Sequence, residues 1–144
     1  MCDDFTGLYF GNWQKWYDAT NNDWKRDDVP EGFGIFGVYL FANLEPDEIE
    51  KPFETANMPR SILYIGMSSH IDQRLSSTHQ AIEKYLKLEG KNSLEKLYVM
   101  KGYTTLTNNI QSRVEGQAYT AYWERLLLLN YVKAYKEFPI LNSQ

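Results

Sequence analysis

From Ile71 the apolar residues fall at Ile71, Leu75, Ile82, Tyr85 and Leu86, with Thr78 filling the gap, a stripe of period 3.6 that predicts an amphipathic helix ending near Gly90. A second, longer helix is predicted from Val114 to about Lys136. Between and before these helices the pattern changes. Phe33 to Phe41 is apolar and aromatic, contains Ile35 and Val38, and is bounded by Pro30 and Gly32 before it and by Asn43 and Pro46 after it. This is the pattern of a buried strand. Ser61 to Ile65 reads as a second strand stopping at Gly66, and Leu97 to Thr105, with Tyr98, Val99, Tyr103 and Thr104, as a third. The first two strands are expected to form a hairpin with a long connection. That connection holds Pro46, Pro52 and Pro59 among Glu45, Asp47, Glu48, Glu50 and Glu54, so it is expected to be a surface loop or short helix.

The chain has 144 residues, 43% hydrophobic and 15% aromatic, enough to bury one sizeable core and too few to suggest two. We therefore expect a single domain over residues 33–144, with a surface insert at about 43–60 and an aromatic-rich extension over 1–32 packed on the domain. In the extension, Trp13, Trp16, Tyr17 and Trp24 lie near helical spacing, as a docked hydrophobic flap requires. A stacking platform for unpaired bases would also use aromatic residues, but only Lys15, Lys25 and Arg26 are interleaved with them, so packing is favoured.

Cys2 is the single cysteine, which excludes an internal disulfide. Met1-Cys2-Asp3-Asp4 carries no basic leader, and the longest aliphatic run, Leu126 to Leu129, is far short of the roughly 20 residues of a membrane span. A soluble, cytoplasmic protein with no membrane partner is expected. The net charge of −4 speaks against a polyanionic partner until it is divided. Residues 1–60 hold 12 acidic and 5 basic side chains, whereas residues 61–144 hold 7 acidic and 10 basic. The C-terminal part is the basic one.

Glu124 carries the strongest chemical signal. On the predicted helix its neighbours on the same face are Thr120, Ala121, Leu127, Leu128 and Tyr131, with no Lys or Arg three or four residues away. The Thr120 hydroxyl can turn back onto a helix carbonyl. A carboxylate on such a face costs several kcal/mol unless a partner compensates it. The partner must come from outside the helix: a tertiary salt bridge, backbone N–H groups, or a divalent cation. Arg74, at the edge of the first helix's apolar stripe, can bury its stem while its planar fork faces a phosphate.

Other chemistries find no support. Gly32-Phe33-Gly34-Ile35-Phe36-Gly37 matches the G-x-G-x-x-G dinucleotide fingerprint, but a strand and not a helix follows it. Cys2, His70 and His79 are too few and too scattered for zinc.

Gly37-Val38-Tyr39, Tyr64-Ile65-Gly66, Arg74 ten residues after Tyr64, Glu124 and Pro139-Ile140-Leu141-Asn142 form an ordered set. It resembles the GIY-YIG family of single-metal nucleases over roughly Gly34 to Asn142, about three quarters of the chain. The resemblance implies an α/β chain of the α+β type, with a small central antiparallel sheet of about three strands flanked by helices. It further implies a divalent-metal-dependent endonuclease hydrolysing DNA phosphodiester bonds and leaving 5′-phosphate and 3′-hydroxyl ends. Tyr39 and Tyr64 would line the site near the attacking water, Arg74 would bind the scissile phosphate, Glu124 would hold Mg²⁺ or Mn²⁺, and Asn142 would brace the far wall. Gly37 and Gly66 would let the backbone approach closely. DNA is the implied partner, with a homodimer as the route to cutting both strands.

The chain departs from the family pattern in three places. Gly-Ile-Tyr is Gly-Val-Tyr here, and the connection over residues 40–63 is longer than most members use. Where the family commonly has His or Tyr four residues after the arginine, this chain has Thr78, and His79 comes five after. On an ideal helix Thr78 lies about 40° from Arg74 and His79 about 140° away. His79 reaches the site only through a π-bulge; otherwise it has no role and a tyrosine must activate or orient the water. Such a tyrosine starts from a pKa near 10, so proton abstraction needs help from a metal-bound hydroxide or a neighbouring cation. The alternative from another class is a catalytically degenerate module of the same fold that binds nucleic acid or a protein partner.

Overall fold

The structure, a computed structural model, describes residues 5, 7–16, 36–68, 80–89, 95–104 and 110–142. Its elements in chain order are β1 (Leu8–Phe10), β2 (Gln14–Lys15), β3 (Gly37–Asn43), α1 (Pro46–Glu50), β4 (Ile62–Ser68), α2 (Gln80–Glu89), β5 (Leu97–Thr104) and α3 (Ile110–Tyr135). The class is α+β, and the sheet is antiparallel, as the resemblance implies. It has five strands, however, not about three, in the order β1-β5-β3-β4 with β2 also on β5. The two added strands come from the aromatic extension. Leu8 and Phe10 pair with Thr104 and Gly102, and Gln14 and Lys15 with Val99 and Tyr98. Strands this short carry too little periodicity to be seen in sequence, and pairing with β5 fixes them.

β3 is buried on both faces, which explains its unbroken run of Val38, Tyr39, Leu40, Phe41 and Ala42. Alternation then sorts the side chains into two layers. Tyr39, Phe41, Val99 and Tyr103 meet Ala81, Ile82 and Tyr85 of α2, together with Trp16 and Leu141. Val38, Leu40, Ile65 and Met100 meet Trp123, Leu127 and Tyr131 of α3 on the opposite face. Each fully buried large side chain of this kind stabilises by about 1.5–3 kcal/mol. Trp16 is only 5% exposed and packs in the first of these layers; Tyr17 and Trp24 lie outside the described residues.

β4 is the edge strand and runs through Gly66 to Ser68 instead of stopping at the glycine, because all of Gly37–Leu40 pairs with Ile65–Ser68. The insert is less solvated than its sequence suggests. α1 begins with Pro46, and the Glu48 carboxylate accepts from the Glu45 N–H at 3.2 Å. Residues 55–60 are pinned to α3: Asn130 Nδ2 donates to Thr55 O at 3.2 Å, Tyr131 OH to Arg60 O at 2.7 Å, and Tyr135 OH to Met58 O. Met58 is buried as a result. α3 ends at Lys136, which adopts φ 64° and donates its N–H to Val132 O at 2.7 Å. Among the described residues no helix is long and apolar enough to cross a membrane.

Candidate active site

Tyr39 and Tyr64 come together on the α2 face. Tyr39 stands opposite Gly66 in the ladder, so the ring of Tyr39 lies over a position with no side chain. A Cβ on Gly66 would meet Tyr39 Cζ and OH at 2.7 Å and Tyr64 Cε2 at 2.7 Å. The absence of a side chain at Gly66 lets the two phenol rings lie close over its backbone. Their ring centroids are 6.0 Å apart, and the two side chains share a hydrogen bond. Phe41 completes the group, its ring 5.5 Å from Tyr39 and stacked at 6.1 Å on Tyr64. Gly37 opens β3, paired between Ser68 and Tyr103.

Asn142 holds the strand that carries this pair. Its Oδ1 accepts from the Ile65 N–H at 2.8 Å and its Nδ2 donates to Ile65 O at 2.9 Å, while Leu141 N–H donates to Leu63 O at 2.8 Å. The amide thus occupies the place of a neighbouring strand at the open edge of β4, between Tyr64 and Gly66.

Glu124 sits on α3, half-buried, between the buried Trp123 and Leu127. Thr120, one turn earlier, is buried and spends its hydroxyl on Gly116 O at 2.6 Å, as expected of a threonine in a helix. Burial raises the pKa of Glu124 above the ordinary carboxylate value, and the nearby Arg125 only partly opposes it. Among the described residues no salt bridge reaches it. Burial also raises the Tyr64 pKa, the charge of Glu124 raises it further, and the hydrogen bond with Tyr39 lowers it. The charge of Glu124 on α3 is thus felt by Tyr64 of β4.

A cleft of about 330 Å³ opens between the end of β4 and α3, lined by Phe36, Met67, Ser68, Gln117 and Thr120. Phe36 is fitted against Gly116, where a Cβ would come within 2.7 Å of its ring. Arg74 and His79 lie outside the described residues. Tyr39, Tyr64 and Gly66 are brought together, Asn142 holds the backbone of Ile65 between the last two, and Glu124 acts on Tyr64 through its charge.

Sequence reasoning passed over Lys101. It is 2% exposed, stands directly opposite Tyr39 in register, and sits 5.9 Å from the centroid of the Tyr103 ring. The signal was present: Leu97, Val99, Lys101 and Tyr103 share one face of a strand, so period two puts this lysine inside. Among the described residues no three His, Cys, Asp or Glu side chains gather as a metal-ligand group. The donor set is the single Glu124 carboxylate, which suits a cation that keeps most of its water, as Mg²⁺ does. No family model, curated protein or solved structure matches the chain.

Proposed function

We propose that this protein is a divalent-metal-dependent endonuclease that hydrolyses DNA phosphodiester bonds. The observation that carries the reading is the Tyr39–Tyr64 pair over Gly66 on β4, its rings 6.0 Å apart, with the charge of Glu124 acting on Tyr64. A half-buried carboxylate with raised proton affinity and no salt bridge among the described residues is short of positive charge. Glu124 would hold Mg²⁺ or Mn²⁺, which when bound would supply that charge and stabilise the oxygens of a phosphate under attack.

The remaining roles fall to the chain itself. Tyr64 and Tyr39, linked by their hydrogen bond, orient the attacking water from one side of the phosphate. Burial and the Glu124 carboxylate both oppose ionisation of Tyr64, so its phenol positions water as a neutral group. Asn142 keeps β4 in register so that the pair and the carboxylate stay aligned. Arg74 grips nonbridging phosphate oxygens, and the basic C-terminal part of the chain faces the DNA.

Supercoiled, linear and branched DNA incubated with the protein and Mn²⁺ tests the proposal. Products should carry 5′-phosphate and 3′-hydroxyl ends, and Glu124→Ala, Arg74→Ala and Tyr64→Phe should each abolish them while circular dichroism shows a folded chain. Full cleavage by purified Glu124→Ala would reject the assignment. The same Tyr64 environment favours the second reading, a non-cleaving module of this fold. DNA retention with no cleavage and no Mg²⁺- or Mn²⁺-dependent heat would select it.

A further inference from the structure

A cavity of about 360 Å³ lies between the insert, the segment before β2 and the end of α3. That volume falls within the range of small-ligand sites, roughly 300–1,000 Å³. Trp13, Phe53 and Tyr135 supply its aromatic walls, and Glu48, Glu54 and Lys51 its charges. The Trp13 and Phe53 rings meet edge to face, 85° apart with centroids at 6.2 Å, and so form a corner rather than a flat floor. The Tyr135 hydroxyl is anchored to Met58 O, which fixes the third ring.

Glu48 is the group that decides what fits. One of its oxygens accepts the Glu45 N–H at 3.2 Å and the other the Ser61 hydroxyl at 3.1 Å, so the carboxylate is held in place by two neutral donors. Neither cancels its charge. With Glu54 on the rim and Lys51 the one opposing charge in the lining, the cavity is net negative. A nucleotide phosphate is repelled there, whereas a cation finds both a positioned carboxylate and ring faces that attract it. The molecule already makes such a contact: the Arg60 guanidinium lies 5.5 Å from the Tyr135 centroid, its charge met by Glu137 at 3.8 Å.

We propose that this cavity binds an arginine side chain of a basic segment in a partner protein. The guanidinium stacks in the Trp13–Phe53 corner and faces Glu48 and Glu54. The site is separate from the Glu124 region and stands whether or not the protein cleaves DNA.

The test is a titration of ¹⁵N-labelled protein, without DNA or metal, following the Trp13 indole N–H signal identified by its loss in Trp13→Phe. The probes are acetyl-Gly-Arg-Gly-amide and the same peptide with citrulline, which keeps the shape and removes the charge. The arginine peptide should shift the Trp13 signal saturably. Its affinity should fall about three- to tenfold in Glu54→Gln and in Phe53→Leu, and rise about twofold in Lys51→Gln. Glu54 and Lys51 are exposed, so these two variants leave the fold intact. Equal affinity for the citrulline peptide, no saturable shift with either peptide, or an unchanged response in Glu54→Gln and Phe53→Leu together would each overturn the proposal.

Discussion

Asn142 clasps Ile65 with both ends of its amide, accepting at 2.8 Å and donating at 2.9 Å across 77 residues of sequence. A single side chain thereby satisfies two backbone groups on the outer edge of β4, groups that otherwise face solvent or a foreign strand. Removing it leaves both without protein partners. Asn142→Ala is expected to destabilise the fold by about 1–3 kcal/mol in urea denaturation. Asn142→Asp, which keeps an acceptor and loses the donor, should fall between wild type and alanine. If both variants unfold like wild type, the clasp contributes nothing.

Gly66→Ala places a methyl group where the Tyr39 and Tyr64 rings already meet, at 2.7 Å from each. Both rings are held by neighbours, Tyr39 by Phe41 and Tyr64 by stacking on Phe41, so they can yield only by separating. A cost of about 1–3 kcal/mol is expected, as for other overpacked sites. If the tyrosine pair serves cleavage, activity should fall by more than the loss of folded protein explains. Activity that merely tracks the folded fraction would count against the pair.

Glu124 gives the fold a pH dependence of known sign. Its pKa is raised in the folded state, so folding favours the protonated carboxyl. The group contributes most below the ordinary carboxylate range, and that contribution is lost as pH rises through the raised value. Glu124→Gln should therefore melt higher than wild type at pH 7 and alike at pH 3.5. Solvent on the open side of the group screens the effect, which keeps the gain under about 1 kcal/mol. The same variant removes one cause of the raised Tyr64 pKa, so Tyr64 should titrate at lower pH in Glu124→Gln. Spectrophotometric titration, with Tyr64→Phe to identify the signal, measures this, and an upward shift would contradict the coupling.

Lys136 closes α3 in the left-handed region, where a side chain is strained and glycine is not. Lys136→Gly should stabilise the protein by about 0.5–1 kcal/mol, the relief of the clash exceeding the added freedom of the unfolded chain. The melting temperature decides it; a drop would show that the lysine side chain contributes contacts that outweigh its backbone strain.

Much of the scaffold can be read from local pattern. The unbroken apolar run of β3 announces a strand buried on both faces, and Leu97 to Thr104 and the long C-terminal helix follow from their own periods, which depend on residues a few positions apart. The face of α3 that holds Thr120, Leu127 and Tyr131 was legible for the same reason, and so was the oddity of Glu124 on it. Lys101 was legible in principle, since Val99 and Tyr103 flank it on one side of the strand. β1 and β2 were not, because strands of three and two residues exist only by virtue of the β5 edge they pair with.

The sequence by itself determined the long strands and helices and which face of each turns inward, because those properties rest on the spacing of apolar side chains along the chain. Only the tertiary structure decided which residues meet: the two tyrosines over Gly66, Glu124 acting on Tyr64, Asn142 replacing a strand at Ile65, and three aromatic rings around an acidic cavity. These contacts join positions far apart in the chain, Ile65 with Asn142 across 77 residues among them, and they are set by strand register and by the closure of helices on opposite faces, which no local period encodes.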